Sequence, residues 1–179
     1  MKPEVSITTE GNIIPNTNGV LFHFNAVSLK AVDITIIKIF ENNIPQFLQV
    51  NQLDGDRELK RVGRIVYNQE MPLISEKPID YGTWNTFTID LSQLIEPEPG
   101  AIYRVEIGFR KKHSLYPCSE TDSKEEEETY KPQKDINADY DAPERSYWDY
   151  YDDEYEYEYY DYNWYDRENP CKNSYYMYN

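Results

Sequence analysis

Residues 97–105 read Pro97-Glu98-Pro99-Gly100-Ala101-Ile102-Tyr103-Arg104-Val105 and carry the most specific structural signal in the chain. Pro99 and Gly100 favour a tight turn, and Tyr103 opens an alternating strand three residues later. The alternation predicts that four side chains of this strand face the core: Tyr103, Val105, Ile107 and Phe109. A tyrosine so placed is typical of the tyrosine corner of Greek-key sandwiches, in which its hydroxyl bonds the backbone upstream. The stretch therefore predicts an antiparallel β-sandwich, with Pro99, Gly100 and Tyr103 in structural roles.

The rest of the body also reads as short β-strands, and no segment keeps a helical period over ten or more positions. Strand-like runs occupy residues 5–8, 13–14, 20–26, 32–40, 47–50, 62–67 and 84–89. Residues 54–56, Asp-Gly-Asp, are typical of a hairpin tip. About seven strands in a body of roughly 105 residues fit an all-β, two-sheet sandwich better than a barrel.

The formal charge of −15 is concentrated in one segment. Residues 119–170 hold 19 acidic and five basic side chains, a net charge of −14, whereas the rest of the chain holds 14 acidic and 13 basic ones. The composition predicts three parts: a sandwich at residues 1–117, an acidic tyrosine-rich insertion at 118–171, and a C-terminal return, or the start of a next domain, at 172–179. So acidic a segment argues against nucleic acid or an anionic membrane surface as partner.

The two cysteines, Cys118 and Cys171, lie at the two ends of the acidic segment. Their placement predicts a disulfide that closes this excursion at its base; the alternative is two unrelated buried thiols. A disulfide would place the protein in a periplasm, on a cell surface or outside the cell. No apolar run of 18 residues and no apolar N-terminal stretch exist, so we expect no transmembrane helix, no signal peptide and no membrane insertion.

The acidic segment also carries aromatic residues that are candidates for binding a partner: Trp148, Tyr150, Tyr151, Tyr155, Tyr157 and Trp164. Such rings stack on sugars or on protein surfaces, and the alternative is that they only dock the segment onto its own domain. Calcium is the inorganic ligand that best suits the dense carboxylates. The spacing does not match an EF-hand, however, and Asp152-Asp153-Glu154 is typical of a solvated charge run. We therefore predict no metal site and no cofactor, and the alternative is a calcium-dependent module.

Motifs of catalysis are absent from the sequence, which has no nucleophile elbow, phosphate loop, dinucleotide fingerprint or zinc-protease motif. Of the two histidines, His23 lies in the middle of a predicted strand, and His113 follows two lysines near a strand end. Each is predicted to be a surface or hydrogen-bonded structural residue rather than a base or a ligand. We expect a chain with no catalytic residues, which is not an enzyme.

Six blocks spread along the chain carry a family resemblance. They are Asn12-Ile13-Ile14-Pro15, residues 29–43, Phe47-Leu48-Gln49, residues 96–105, Leu115-Tyr116-Pro117-Cys118 and Asn169-Pro170-Cys171. Taken in order, they resemble the macroglobulin-type domains of bacterial α-2-macroglobulins, particularly those of the Bacteroidetes type. The resemblance implies an immunoglobulin-like or macroglobulin-like antiparallel β-sandwich.

The resemblance further implies a non-catalytic structural module of a large multi-domain protease trap. Its partners would be the neighbouring domains of the same long chain and, through the full-length protein, target proteases. Its location would be the periplasm or the cell surface, in a parent that can carry a lipid anchor. The reactive thioester of this family has no counterpart here, because Cys118 is followed by Ser119-Glu120-Thr121 and Cys171 by Lys172-Asn173-Ser174. The alternative is a stand-alone surface β-sandwich that binds glycan or a cationic protein through the acidic aromatic loop.

Overall fold

The computed structural model describes residues 1–8, 20–52, 55–56, 59–75, 78–119, 136–137 and 164–176. In these residues six strands form two antiparallel sheets: β1 (Glu4–Ile7), β2 (Leu21–Val27), β3 (Ala31–Ile39), β4 (Gly63–Pro72), β5 (Asn85–Asp90) and β6 (Ile102–Gly108). The first sheet has the strand order β1-β2-β5 and the second β4-β3-β6. The predicted mainly antiparallel, two-sheet architecture is confirmed. The short strand predicted at residues 13–14 lies outside the described residues.

The main core lies between the two sheets, because alternate residues of the inner strands are apolar. β2 contributes Phe22, Phe24 and Ala26, and β3 contributes Val32, Ile34 and Ile36, all of them buried. The ring of Phe24 stacks on that of Phe87, with their centroids 5.8 Å apart. On β6 the side chains of Tyr103, Val105 and Ile107 pack partly buried against this core. Burial thus follows the period of two that the sequence shows for these strands.

A short helix occupies the stretch predicted as a strand at residues 47–50. Helix α1 (Ile44–Val50) has Pro45 in its first turn, where the missing N–H costs no hydrogen bond. The side chain of Asn51 closes the other end by donating to the Phe47 carbonyl at 3.1 Å. Phe47 is buried while Leu48 and Val50 are exposed. The strand prediction was wrong because one buried ring docks this segment onto the sheet as a helix, without a ladder of alternating side chains.

The predicted hairpin tip at residues 54–56 joins helices instead of strands. Helix α1 is followed by the one-turn helix α2 (Leu59–Val62), and Gly55 lies between them, with its N–H bonded to the Gln52 carbonyl at 2.9 Å. Asp54 lies outside the described residues. The side chain of Asn43 donates to the Val62 carbonyl at 2.9 Å and so ties the start of α1 to the end of α2.

The two helices cover the outer face of the second sheet. Ile37 and Ile39 of β3 point away from the main core and form a second buried cluster with Phe47, Leu59 and Val62. β3 is therefore apolar on both faces at this end, as its run of isoleucines indicates for a central strand. None of the helices among the described residues is long and apolar enough to cross a membrane.

The C-terminal residues return to the opposite end of the sandwich. Helix α3 (Asn173–Tyr176) places Tyr175 in the main core, where its hydroxyl donates to the Pro3 carbonyl at 2.6 Å. The Tyr176 ring meets Phe109 edge-on, with their centroids 5.9 Å apart. We call this end of the sandwich, near Cys118 and Cys171, the disulfide end, and the end covered by α1 and α2 the helix end.

Candidate functional site

The predicted tyrosine corner lies at the helix end, in the turn before β6. The Ala101 N–H donates to the Glu98 carbonyl at 3.3 Å, and Gly100 at the third turn position has φ +83° after Pro99 at the second. This is the type II turn that proline and glycine favour at these two positions. A Cβ on Gly100 would lie 2.7 Å from the carboxyl carbon of Glu41, so both the dihedral angle and the space require glycine.

The Tyr103 hydroxyl fastens this turn to the strand that follows it. It accepts a hydrogen bond from the Glu98 N–H at 3.0 Å and donates to the Glu96 carbonyl at 3.5 Å. Bonds to backbone five and seven residues upstream are the geometry that a tyrosine corner uses to fix the crossover between sheets. In this geometry Pro99, Gly100 and Tyr103 stabilise the fold.

A cavity of about 280 Å³ opens beside the tyrosine corner, and Lys38 forms part of its wall. The Lys38 side chain is only 10% exposed, and its ammonium pairs with the carboxylate of Glu98. The ammonium also lies 4.9 Å from the centroid of the Phe40 ring. The charge that would otherwise attract an anionic ligand to this cavity is therefore already balanced by the chain itself.

Five charged or titratable residues meet on the outer face of the second sheet, at its disulfide end. We call them the His113 cluster: Asp33, Glu70, Arg110, Lys112 and His113. Asp33 and Glu70 are directly opposed in the β3–β4 register, so their side chains share a face. The other three residues come from the 3-10 turn after β6 and from the residue before it. The cluster thus joins three segments that are far apart in sequence.

The two carboxylates of the His113 cluster are each paired with a cation. The Arg110 guanidinium donates to both oxygens of Asp33, at 2.7 and 2.5 Å, in the bidentate geometry that gives the strongest such pairs. The Lys112 ammonium pairs with Glu70. Its hydrogen bond is the main cause that lowers the pKa of Glu70 below its usual value.

His113 lies fully buried at the centre of the cluster. Its Nδ1 accepts a hydrogen bond from the Arg110 N–H at 3.1 Å, so this nitrogen carries no proton. The proton of the neutral ring is therefore on Nε2, which lies 3.1 Å from a Glu70 oxygen and donates to it. Burial lowers the pKa of His113, although the hydrogen bond to Glu70 and the nearby Asp33 carboxylate oppose that effect.

Donor atoms of Asp33, Glu70 and His113 lie within 4.8 Å of one another, a spacing that could hold a metal ion. Both imidazole nitrogens are already hydrogen-bonded, however, and each carboxylate has its own cation. A metal ion would have to displace Arg110 and Lys112 from charges that they already balance. This donor set fits a structural ion-pair network better than a metal centre.

The other histidine, His23, lies on the outer face of the first sheet. Its Nδ1 is 2.8 Å from the Thr88 hydroxyl on the neighbouring strand, an exposed cross-strand pair. Beside it, the Thr86 hydroxyl donates to the Asn25 side-chain oxygen at 2.7 Å. On the outer face of the first sheet, these polar side chains of β2 and β5 are therefore hydrogen-bonded to one another.

Cys118 and Cys171 form a disulfide with their Cα atoms 5.6 Å apart. The predicted pairing is confirmed, and the alternative of two unrelated thiols was wrong. Most of the predicted partner-binding aromatics lie outside the described residues: Trp148, Tyr150, Tyr151, Tyr155 and Tyr157. Trp164 is the first residue of the 3-10 turn Trp164–Glu168. An aromatic binding surface on the acidic segment therefore stays a prediction.

The acidic segment contacts β4 through Asn137, which the sequence did not predict. The side-chain oxygen of Asn137 accepts from the Ile65 N–H at 2.9 Å, and its side-chain nitrogen donates to the Ile65 carbonyl at 3.1 Å. Asn137 thereby bonds both backbone groups of one β4 residue, 72 positions away in sequence. A single asparagine in a polar stretch gives no sequence signal for such a contact.

No family model and no curated protein match this chain. Among solved structures, it is similar to a crystal structure of native alpha-2-macroglobulin from Escherichia coli spanning domains MG0-NIE-MG1, with 12% identity and a TM-score of 0.44 over 61% of this chain and 34% of that chain. A crystal structure of the same protein spanning domains NIE-MG1 is 16% identical, with a TM-score of 0.39. The match covers 52% of this chain and 46% of that chain. A cryo-EM reconstruction of the native conformation of the same protein is 14% identical, with a TM-score of 0.46. The match covers 60% of this chain and 7% of that chain. This chain thus spans less than half the length of each of the three solved chains.

Proposed function

We propose that this chain is a non-catalytic structural module of an α-2-macroglobulin-like protein that traps proteases in a bacterial envelope. One observation carries the non-catalytic part: among the described residues, no buried side-chain nitrogen or oxygen lacks a hydrogen-bond partner. A polar side chain that is already bonded within its own domain has to break that bond before it can act on a substrate. In this chain even the buried histidine is committed on both ring nitrogens.

The macroglobulin part of the proposal is supported by the ordered sequence blocks and by the two-sheet fold with its tyrosine corner. The Bacteroidetes type, the lipid anchor and the target proteases rest on the sequence resemblance alone. The envelope location is supported by the disulfide, since such bonds persist in oxidising compartments. In this proposal the module's direct partners are the neighbouring domains of a longer chain.

The test is an immunoblot of the source organism's envelope fraction with an antibody raised against this chain, run with and without reductant. We expect a band many times heavier than 21.3 kDa in both lanes, because covalent continuity of one long chain does not depend on disulfides. A band near 21.3 kDa in both lanes would contradict the trap and favour the stand-alone binding module. A heavy band that falls to that mass with reductant would show a disulfide-linked complex, which also contradicts the proposal.

The non-catalytic role predicts that the isolated chain neither cleaves peptides nor inhibits proteases. The measurement is the residual activity of several unrelated proteases after incubation with an excess of the purified chain, compared with an equal mass of albumin. Inhibition by the chain alone would show that it carries a binding site of its own.

A further inference from the structure

β5 is an edge strand of the first sheet, and the register identifies the backbone groups on its outer side. The Thr8 N–H donates to the His23 carbonyl at 3.4 Å, so the backbone groups of His23 point towards β1. Thr88 is the β5 partner of His23. This pair is therefore not hydrogen-bonded through the backbone, and the N–H and C=O of Thr88 point away from β2. Because the pattern alternates along the strand, Thr86 also presents both of its backbone groups outwards.

The four outward backbone groups of Thr86 and Thr88 have no hydrogen-bond partner among the described residues, and no described strand lies beside β5 on this side. The outer edge of β4 differs, because the Asn137 carboxamide bonds both outward groups of Ile65 and Pro72 has no N–H to offer. β5 contains no proline from its first residue to its last. It thus offers the regular series of donors and acceptors on which a further strand can be added.

A groove of about 400 Å³ lies along this edge, and residues 85–88 of β5 form part of its wall. Because side chains alternate between the two faces of a strand, a groove lined by four consecutive residues faces the edge of the strand and not one of its faces. The rest of the wall comes from the connection between β4 and β5, through Ile74, Ser75 and Ile79. The groove therefore provides space for an extended chain beside the outward backbone groups of Thr86 and Thr88.

The lining of the groove indicates which kind of segment fits it. None of its seven residues is charged, although 28% of the residues in the whole chain are. Ile74 is 79% exposed and Phe87 is only partly buried, so an apolar side chain in the groove would remove apolar surface from water. A charged segment would lose hydration there without gaining a counter-charge. A folded second copy would bring its own residues 74–79 into the same gap, so a single extended segment fits the groove better.

We propose that the outer edge of β5 binds an extended, uncharged segment of another protein as an additional strand. The backbone of Thr86 and Thr88 supplies the hydrogen bonds, and Ile74 and Phe87 contact an apolar side chain of the segment. The bound segment extends the first sheet beyond its three described strands. The inference goes beyond the proposed function and does not depend on it, since a module of a larger protein and a stand-alone domain can both bind in this way.

The open edge is tested by amide hydrogen exchange on the full chain without a ligand. We expect the amides of Thr86 and Thr88 to exchange at least about ten-fold faster than those of Phe87 and Ile89, which point towards β2. If all four amides are equally protected, another part of the chain already covers the edge and the proposal is wrong.

Binding is tested with three short, capped peptides that carry a neutral fluorescent label and in which threonine alternates with valine, isoleucine or phenylalanine. Fluorescence anisotropy measures their binding to the full chain, and hydrogen exchange shows where they bind. We expect saturable binding of at least one peptide, with the Thr86 and Thr88 amides exchanging at least about ten-fold more slowly in the complex. If none of the three binds, or if a bound peptide leaves these two amides unchanged, the edge is not the binding site.

Three variants separate the backbone edge from the side chains around it. Thr88→Pro removes an outward N–H without removing a bond to β2, and it should weaken binding at least about ten-fold. Thr88→Val is the matched control, since it keeps the N–H and should bind within about two-fold of the parent chain. Ile74→Asp places a charge in the groove at a highly exposed position, so it should weaken binding about ten-fold and leave the thermal midpoint unchanged.

The thermal midpoint of each variant shows whether it folds. Equal affinities of folded Thr88→Pro and Thr88→Val would overturn the proposal. If Thr88→Pro does not fold, Ile74→Asp decides, and an affinity equal to that of the parent chain would show that the peptide binds elsewhere.

Discussion

His113 is fully buried and neutral, and both of its ring nitrogens are bonded inside the protein. Because burial lowers its pKa in the folded chain, protons bind more strongly to this histidine in the unfolded chain. The stability that the neutral ring contributes is therefore complete above the ordinary value of 6.5 and is lost as the pH falls below it, until the folded imidazole itself is protonated. Glu70, with its lowered pKa, adds a loss in the same direction below its ordinary value of 4.5.

At the scale of single residues we predict that His113→Ala lowers the free energy of unfolding by about 3 kcal/mol at pH 7.5, since it deletes a buried ring and removes the acceptor of the Arg110 N–H. The measurement is urea unfolding at pH 7.5 and 5.5. The parent chain should lose stability between the two values, and the variant should lose less. His23→Ala, at the exposed pair, should cost under about 0.5 kcal/mol at pH 7.5. An undiminished loss in His113→Ala would contradict this assignment.

At the scale of elements, α1 shows how packing can create a helix that local sequence does not favour. A helix of seven residues is too short to be stable in isolation, so its stability has to come from the sheet beneath it. Phe47 supplies that contact, and it is almost completely buried against the second apolar cluster. The outer face of the second sheet would otherwise expose Ile37 and Ile39 to water.

We therefore expect Phe47→Ala to destabilise the domain by about 3 to 5 kcal/mol, as is usual for a large core side chain. Leu48→Ala is the matched control on the exposed side of the same helix and should cost under about 0.5 kcal/mol. Denaturant unfolding followed by circular dichroism and by fluorescence measures both. Similar costs for the two variants would mean that α1 is not docked as described.

The strands of the inner faces and the tyrosine corner could be predicted from the sequence because their signals are local. Alternating apolar residues indicate which face of β2 or β6 is buried, and Pro99-Gly100 indicates the turn. Helix α1 could not be predicted, since seven residues are too few to show a helical period and residues 47–50 resemble a short strand. The His113 cluster could not be predicted either, because it depends on the register that sets Asp33 opposite Glu70 and on a turn after a different strand.

At the scale of the whole molecule, the disulfide bonds the segment after β6 to the C-terminal return, 53 positions along the chain. That return is part of the fold, since Tyr175 is buried in the main core and bonded to Pro3. The bond limits the separation of Cys118 and Cys171 in the unfolded chain, where two free cysteines would be far apart. Its stabilising effect is thus exerted mainly on the unfolded state.

We predict that the double variant Cys118→Ser/Cys171→Ser loses up to about 4 kcal/mol of unfolding free energy, the chain-entropy value for a loop of this length. Urea unfolding of the oxidised parent, the reduced parent and the double variant is the measurement. Reductant should lower the parent to the level of the variant and leave the variant unchanged. A parent whose stability is the same after reduction, with the free thiols verified by mass, would show that the bond has no stabilising role.

The meeting of Pro3 and Tyr175 at one end of the sandwich has a mechanical consequence. A force that pulls these two residues apart acts on one end of the domain. It loads the hydrogen bonds between β1 and β2 one after another, starting from the pair Glu4 and Val27, instead of all at once. The disulfide meanwhile excludes the 52 residues between its cysteines from the extensible length, which withholds about 180 Å of contour at 3.5 Å per residue. In a protein under tension, the disulfide would carry the load past these 52 residues until the bond itself is broken.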